Sequence, residues 1–256
     1  MVGTAGGGNG SLLETENTMD LRDVRERVRG GARTAVLSGA GISAASGIPT
    51  FRGDQDSLWS RYRPEELATP GAFARDPELV WRWYDWRRGL IAASGPNAAH
   101  EALVALEQHV SVQVVTQNVD GYHRQAGSTV VLEYHGSIWM LRCTGCDHEA
   151  EDRRVPLPIP PRCADCGALL RPGVVWFGEG IDPGVMRAAD RAASDCELFL
   201  VVGTAGAVYP AAGLVGTART AGAVVVEFNL EPSGVTRHAD LFVPGSAAET
   251  LGEILP

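Results

Sequence analysis

Residues 36–52 read VLSGAGISAASGIPTFR, and this stretch decides the fold. A short β-branched, apolar run at 34–37 leads directly into its glycines. A strand that opens into glycines and then into a helix start presents backbone N–H groups to a phosphate. Gly39, Gly41 and Ala44 match the dinucleotide pattern G-x-G-x-x-G/A, a pattern that many glycine-rich turns match by chance. The stretch predicts a dinucleotide site, with an ordinary glycine turn as the alternative.

The chain that follows departs from a standard dinucleotide-binding half. In that fold, a helix leads to a second strand whose terminal acid binds ribose. Here Pro49 and Gly53 interrupt the path, and Asp54 and Asp56 stand near the expected distance but outside any strand pattern. We therefore expect unusual structure on the nicotinamide side of the site.

The composition is that of an acidic globular protein. A chain of 256 residues can form one large domain or a domain with a smaller insertion. The net charge of −9 disfavours direct binding of nucleic acid. No apolar run is long enough for a membrane span and no secretory signal is evident, so we expect a cytoplasmic protein without a membrane partner. Residues 1–18 predict a disordered leader, and both Met1 and Met19 are candidate starts.

Five short apolar runs are predicted to be strands, and polar or glycine residues follow each of them. The runs are 112–115, 130–132, 174–177, 198–202 and 224–228. Their continuous apolar character is typical of strands covered on both faces. In an open parallel sheet, ligands bind beyond the carboxyl ends of the strands. One crevice should therefore collect Gly39, Gln117, Asn118, Asp120, His135, Gly203, Thr204 and Asn229.

Four of the five cysteines form two C-x-x-C pairs. Cys143 and Cys146 are separated by 16 residues from Cys163 and Cys166. This spacing suits tetrahedral zinc held by four thiolates, which leaves no open position and makes the ion structural. Unrelated thiols or a redox pair are the alternatives. The fifth, Cys196, precedes a strand and is predicted to be a buried apolar residue.

A tryptophan-rich helix is predicted at 78–93, opened by Asp76 and Pro77. Its tryptophans are predicted to pack in the core. Tyr84 and Arg87 are three residues apart, so they share one helix face. A phenol beside a guanidinium suits a carboxylate, and a solvated arginine is the alternative.

Together these motifs resemble the sirtuins, the NAD-dependent protein lysine deacylases. The matching segments run in family order from about residue 32 to the C-terminus. They are GAGIS at 39–43, GIPTFR at 47–52, TQNVD at 116–120, HG at 135–136, the four cysteines, VWFGE at 175–179, GT at 203–204, PA at 210–211 and Asn229.

The resemblance implies an α/β fold, a Rossmann-like parallel-sheet domain with a small zinc-ribbon plus helical module inserted. The Rossmann-like domain would comprise 19–53, 95–140 and 172–256. The helical part of the small module would be 54–94 and its zinc-ribbon part 141–171. NAD and an acyl-lysine protein or peptide would meet between the two domains.

The resemblance also assigns roles to residues. The catalytic set would be His135, Asn118 and Asp120, the last two holding the nicotinamide carboxamide. The cofactor site would be lined by Gly39, Ala40, Phe51, Arg52, Gln117, Asn118, Asp120, Gly203, Thr204, Ala205, Asn229 and Ala247. The substrate would contact Ala68, Tyr84, Arg87, Val175, Trp176 and Phe177, with the segment 176–178 pairing with its backbone by strand addition.

In the mechanism that the resemblance implies, the acyl oxygen attacks the ribose C1′ as nicotinamide leaves. His135 then acts as general base on a ribose hydroxyl, a role that suits an imidazole with a pKa of about 6.5. The family branch that removes succinyl and malonyl groups has a Tyr-x-x-Arg pair and a nearby alanine, which Tyr84, Arg87 and Ala68 match. We therefore expect a preference for acidic acyl groups and weaker deacetylation.

Two residues depart from the family pattern, and several other functions stay open. Ala205 replaces a usual serine, so we expect one hydrogen bond to the cofactor to be missing, and Tyr122 replaces a usual leucine. Neither position touches the proposed chemistry. A deacetylase without acidic-acyl preference, or an ADP-ribosyltransferase on the same fold, would share these motifs. A Rossmann oxidoreductase or a zinc-ribbon protein that binds nucleic acid is a rival from a different class. The oligomeric state is left open.

Overall fold

A computed structural model describes residues 19–48 and 64–256 of the chain. The predicted leader, Phe51 and Arg52, and the interrupted path around Pro49, Gly53, Asp54 and Asp56 lie outside these ranges. The α-helices described are α1 (Leu21–Arg29), α2 (Pro64–Leu67), α3 (Pro70–Arg75), α4 (Pro77–Ala92), α5 (Ala98–Leu106), α6 (Tyr122–Ala126), α7 (Pro183–Asp195), α8 (Gly213–Thr220) and α9 (Ala247–Thr250). The strands described are β1 (Thr34–Ser38), β2 (Val112–Thr116), β3 (Val131–Glu133), β4 (Gly136–Cys143), β5 (Glu149–Glu151), β6 (Leu170–Val174), β7 (Leu198–Val202), β8 (Val224–Asn229) and β9 (Leu241–Pro244). Short 3₁₀ turns cover Ala40–Ser46, Thr236–His238 and Leu251–Ile254.

The larger sheet is parallel, with the strand order β3-β2-β1-β7-β8-β9. Thr34 in β1 is in register with Val112 of β2 and with Leu198 of β7. Every residue of β1 and β7 is buried, because helices cover both faces of the sheet. Val36 faces a cluster formed with α1, α5 and α9, whereas Leu37 faces a cluster formed with α7 and α8. The predicted parallel, Rossmann-like sheet is therefore confirmed.

The helix ends follow the capping residues that the sequence offers. Asp20 caps α1 by accepting from the backbone N–H of Arg22 at 2.7 Å, and Gly30 ends this helix. Asp76 caps α4 by accepting from the N–H of Leu79 at 2.9 Å, with Pro77 in the first turn. The second boundary fixes where the aromatic face of α4 begins.

The smaller sheet is antiparallel, with the order β5-β4-β6, and it corrects one prediction. The run 174–177 is not a strand of the parallel sheet. Only its first residue, Val174, belongs to a strand, and that strand pairs with β4 (Gly136 with Val174, Cys143 with Leu170). The residues that follow turn away, and the N–H of Phe177 donates to Ala68 O at 2.9 Å. An apolar run alone cannot specify which sheet it joins.

A third apolar cluster joins the smaller sheet to the helices α2–α4. Trp81 and Trp83 are buried in it beside Ile138 of β4, as predicted for the tryptophans of α4. Arg88, fully buried, donates from Nη1 to Ile138 O at 2.8 Å and from Nη2 to the carbonyls of residues 152 and 154. Cys196 is buried beneath the other sheet, also as predicted. Among the described helices, none is both long and apolar enough to cross a bilayer.

Candidate active site

Glycines bring the carboxyl ends of β1 and β7 into direct contact. The N–H of Gly41 donates to Gly203 O at 2.7 Å, and the N–H of Gly39 donates to Val202 O at 3.0 Å. A Cβ on Gly203 would lie 2.3 Å from Ile42 N, and the φ of Gly203 is +59°. Only glycine fits here, so this edge presents backbone rather than side chains, as a site for a dinucleotide phosphate requires.

Amide side chains tie the neighbouring strand ends together. Gln117 donates from Nε2 to Thr204 Oγ1 at 2.9 Å. Asn118 donates from Nδ2 to Gly39 O at 3.1 Å, and Asn229 donates from Nδ2 to Thr204 O at 2.8 Å. The structure thus places polar residues from β1, β2, β7 and β8 in one hydrogen-bonded group, as the sequence predicted. We call Gly39, Gln117, Asn118, Asp120, His135, Gly203, Thr204 and Asn229 the strand-end cluster.

Asp120 is the buried acid of the strand-end cluster. Its carboxylate accepts from Ser43 Oγ at 2.8 Å and from the N–H of Tyr122 at 3.0 Å. Ser43 also accepts from Asn118 Nδ2 at 3.2 Å, so the acid and the amide share one hydroxyl. Burial raises the pKa of Asp120 above its ordinary value, an effect opposed by these hydrogen bonds.

His135 stands in the connection between the two sheets, after β3 and directly before β4. Because a carbonyl can only accept, its Nδ1–H donates to Gln117 O, at 3.0 Å. In the neutral ring, Nε2 is therefore unprotonated and has the lone pair of a base. Burial lowers the pKa of His135, although the bond to Gln117 opposes that shift. The imidazole is thus held neutral and ready to accept a proton at neutral pH.

Two further buried histidines, which sequence reasoning did not assign to the site, lie next to the strand-end cluster and are connected to it through Ser38 and Thr116. Ser38 Oγ lies 2.8 Å from His123 Nε2 and donates to Thr116 Oγ1 at 2.9 Å. Thr116 Oγ1 also accepts from the N–H of Asn118 at 3.1 Å. The ring of His100 lies 4.9 Å from that of His123. Burial lowers the pKa of His100 to about 4 and that of His123 to about 3, so both rings are neutral at neutral pH.

The predicted carboxylate-reading pair faces the third apolar cluster. Tyr84 is 2% exposed, and its hydroxyl oxygen accepts from Trp176 Nε1 at 2.9 Å. Burial raises the pKa of Tyr84 to about 12, so the phenol keeps its proton. Arg87 is half-buried, with its guanidinium carbon 4.9 Å from the centre of the Trp83 ring. Burial lowers the pKa of Arg87, and the negative charge of Asp120 acts on it in the opposite direction. We call Ala68, Tyr84, Arg87 and Trp176 the acyl end.

The segment 175–177 links the acyl end to His135. The N–H of Val175 donates to His135 O at 2.9 Å, and the N–H of Phe177 donates to Ala68 O at 2.9 Å. Phe177 itself is 48% exposed, in contrast to the buried Trp176. One short segment therefore connects the general-base candidate with the residues predicted to contact the substrate.

The four predicted metal ligands come together at one end of the smaller sheet. The Sγ atoms of Cys143, Cys146, Cys163 and Cys166 all lie within 4.8 Å of one another. The Cys143–Cys166 and Cys146–Cys163 pairs are 3.4 and 3.7 Å apart. Tetrahedral zinc with Zn–S bonds of ordinary length would separate its sulfurs by about 3.8 Å. The donor set fits zinc, with all four positions filled by protein.

A family model described as the Sir2 family matches residues 39–210. The chain belongs to the Sir2 family. A similar relative is the NAD-dependent protein deacylase of Aquifex aeolicus, 50% identical over 220 residues, which are 85% of this chain and 92% of that protein. NAD-dependent protein deacylase 2 of Pyrobaculum aerophilum is 51% identical over 235 residues, which are 91% of this chain and 92% of that protein.

Solved structures of Sir2 proteins share the fold. A Sir2 homologue in complex with NAD superposes with a TM-score of 0.86 at 44% identity, covering 92% of each chain. A Sir2 protein with a deacetylated p53 peptide and 3′-O-acetyl ADP-ribose gives a TM-score of 0.82 at 30% identity, covering 92% of this chain and 97% of that one. The likeness therefore extends over 92% of this chain.

The remaining predicted positions are placed as follows within this Sir2 fold. Ala40 opens the 3₁₀ turn after β1, and Ala247 is buried in the cluster that contains Ile42. Ala205, where the family usually has serine, is exposed, and its carbonyl accepts from the N–H of Gly234 at 3.0 Å. Tyr122 replaces the usual leucine as a fully buried residue, and its hydroxyl donates to Ile91 O at 2.9 Å. This second departure keeps the core filled and adds a hydrogen bond.

Proposed function

We propose that this protein is an NAD-dependent protein lysine deacylase that removes succinyl and malonyl groups in preference to acetyl groups. The observation that carries the proposal is the position of His135. It is bonded on one side to Gln117 of the strand-end cluster and on the other to Val175 of the segment that reaches the acyl end. The names of the Sir2 relatives and the NAD complex of a Sir2 homologue support NAD-dependent deacylation, whereas the preference for acidic acyl groups is argued from Tyr84 and Arg87 alone.

The strand-end cluster suits the cofactor. Gly39, Gly41 and Gly203 let the ends of β1 and β7 pack backbone against backbone, since a Cβ on any of them would lie within 3 Å of neighbouring protein atoms. A pyrophosphate would meet backbone N–H groups at this edge. Asn118 and Asp120 would hold the nicotinamide carboxamide, and Thr204 and Asn229 the adenosine half. Bound NAD supplies the ribose carbon that receives the acyl oxygen while nicotinamide departs.

His135 would remove a proton from a ribose hydroxyl once the acyl group has been captured. Its Nε2 is the unprotonated nitrogen because Nδ1 is engaged with Gln117 O. A lowered pKa keeps that nitrogen unprotonated at neutral pH. The bond to Gln117 also fixes the direction in which the base acts.

The acyl end would read a terminal carboxylate. The Tyr84 hydroxyl uses its oxygen to accept from Trp176, so its proton is left for another acceptor. The guanidinium of Arg87 places a positive charge near the Tyr84 hydroxyl, and burial makes this charge costly. A carboxylate partner would offset the penalty, and charge-assisted hydrogen bonds are strong where water is excluded. Ala68 leaves room for the extra carboxyl group. The cysteine cluster would hold a structural zinc, with no position for substrate.

The test compares acetyl-, succinyl- and malonyl-lysine peptides of one sequence with purified protein and NAD, with products identified by mass. The chain contains no lysine, so every acyl-lysine signal comes from the peptide. Release of nicotinamide with an O-acyl-ADP-ribose product supports a deacylase. Reduced nicotinamide would indicate an oxidoreductase, and ADP-ribosylated protein would indicate the transferase alternative.

Arg87→Met should lower desuccinylation by about 10²-fold, the loss expected for one charged hydrogen bond, and affect deacetylation far less. Arg82→Met is the matched control, because Arg82 lies on the same helix but is exposed and paired with Glu78. Equal losses in both activities for Arg87→Met would make this residue structural and remove the acidic-acyl preference from the proposal.

A further inference from the structure

The hydrogen bond between Trp176 and Tyr84 has a fixed direction. An indole N–H can only donate, so the Tyr84 oxygen must be the acceptor at 2.9 Å. The hydroxyl has a single proton, which therefore cannot point at Trp176. Both side chains are buried, at 3% and 2% exposed, so water does not compete for this bond. The indole thus decides on which side of the ring the phenol proton lies.

Trp176 is itself held from several sides. Its backbone N–H donates to Glu179 Oε2 at 2.9 Å. The Glu179 carboxylate also accepts from both Nη atoms of Arg171, at 2.5 and 2.8 Å. The Arg171 guanidinium carbon lies 3.5 Å from the centre of the Trp176 ring. On the helical side, Phe73 packs at 5.3 Å between ring centres. An indole enclosed in this way cannot rotate to release Tyr84.

We infer that Trp176 is a positioning residue for acyl specificity, whose indole N–H orients the Tyr84 hydroxyl to donate its proton to the carboxylate of an acidic acyl group. The inference rests on the proposed function for its substrate class, and it adds a residue that does not itself bind the carboxylate. Without Trp176, the Tyr84 hydroxyl can turn and donate elsewhere, so one donor to the carboxylate loses its direction. Acetyl groups have no carboxylate and gain nothing from this orientation.

The test is a double-mutant cycle read as the ratio of kcat/KM for succinyl-lysine to kcat/KM for acetyl-lysine peptide. Four proteins are compared: the parent, Trp176→Phe, Tyr84→Phe and the double variant. Trp176→Phe should lower the ratio by about threefold to tenfold, as expected for one neutral hydrogen bond. In the Tyr84→Phe background, the same change should leave the ratio unaltered, because no hydroxyl remains to be oriented.

An equal fall of the ratio in both backgrounds would overturn the inference, because Trp176 would then act without Tyr84. Failure of the proposed function would give a different result. A parent enzyme with no preference for succinyl over acetyl peptide removes the substrate class, and the inference falls with it. A clear parental preference that Arg87→Met abolishes, combined with additive Trp176 and Tyr84 effects, overturns the inference alone.

The hydrogen bond can also be measured without turnover. The indole N–H of Trp176, identified in ¹⁵N spectra by its loss in Trp176→Phe, should exchange slowly with solvent. Tyr84→Phe should accelerate that exchange, because the acceptor is gone while the ring remains. Unchanged exchange would contradict the bond. The exchange is compared between the parent and Tyr84→Phe, so Trp176→Phe is needed only to assign the signal, in spectra recorded below the assay temperature.

Discussion

The two sheets of this protein are stabilised in different ways. Strands β1 and β7 of the parallel sheet are buried along their full length between two apolar clusters. In the antiparallel sheet, β5 is exposed at both ends, and apolar packing is confined to the side that faces α4. At its far end the smaller sheet has four thiols instead. Apolar burial covers the first sheet on both faces, whereas the second has helices on one side and, at its end, four thiols that fit zinc.

Metal removal should give the largest effect, and it should destabilise the smaller sheet without unfolding the parallel one. We expect a strong chelator to expose the amides of β4, β5 and β6 to hydrogen exchange while β1 and β7 stay protected. Zinc bound by four thiolates contributes on the order of 10 kcal/mol to small folds of this kind. Exchange followed by mass spectrometry measures both sheets in one sample. Cys196→Ala is the control, because this buried thiol lies outside the cysteine cluster and its variant should keep one zinc per chain. Simultaneous loss of protection in both sheets would contradict the comparison.

His135 lies where the two sheets join, so its replacement tests the chemistry rather than either sheet. His135→Ala should lower kcat/KM for deacylation by about 10²–10⁴-fold, the usual range for a lost general base. Thermal unfolding should be nearly unchanged, since the side chain is half-buried and makes one described hydrogen bond. His109→Ala, at an exposed position, provides the control. Turnover equal to the parent's would remove His135 from the mechanism.

A pair of glycine variants tests how tightly the parallel sheet holds its cofactor edge. Gly203 and Gly222 both have positive φ, +59° and +90°, but only Gly203 has neighbours within 4 Å of an added Cβ. Gly222→Ala should cost about 1–2 kcal/mol for the left-handed backbone alone. Gly203→Ala should cost more and weaken NAD binding as well, because β1 and β7 must separate. Denaturant unfolding and calorimetric titration with NAD measure the two effects, and equal costs would mean that the edge tolerates displacement.

Acid should destabilise the protein through the two histidines buried beside the strand-end cluster. His100 and His123 have pKa values of about 4 and about 3 in the folded chain. Their unfolded counterparts take up protons near pH 6.5, so the unfolded state gains protons first as pH falls. The free energy of unfolding should therefore fall between pH 6.5 and 4, by about 1.4 kcal/mol per pH unit for each histidine.

The measurement is denaturant unfolding of the parent, His123→Gln and His109→Gln at pH 7 and pH 5. The dependence on pH should weaken in His123→Gln and persist in His109→Gln, whose histidine is exposed. If the dependence is the same in all three proteins, the acid effect arises elsewhere.

Much of the strand-end cluster was predictable because backbone geometry dictates it. A strand end followed by glycine, or by an amide residue, has few structural solutions, and Gly39, Gln117 and Asn229 were placed correctly at one edge. The cysteine cluster was predictable for the same reason, since metal spacing is local.

The failures arise where the answer depends on partners distant in sequence. The run 174–177 has the apolar character of a central strand, yet it leaves the smaller sheet after Val174, and Val175 and Phe177 donate hydrogen bonds to His135 and Ala68. The bond from Trp176 to Tyr84 joins residues 92 positions apart, and no periodicity reports it. Strand β9 was also missed, because its four residues are short and only partly buried.

The buried guanidinium of Arg88 connects the smaller sheet, which contains the cysteine cluster, to the helix that contains Tyr84 and Arg87. It follows Arg87 directly on α4 and braces that helix against the carbonyl of Ile138 in β4 and against the chain beyond β5. Any loosening of the ribbon therefore shifts the helix that presents Tyr84 and Arg87. A preparation partly depleted of metal would then discriminate less between acidic and neutral acyl groups, while it still bound NAD.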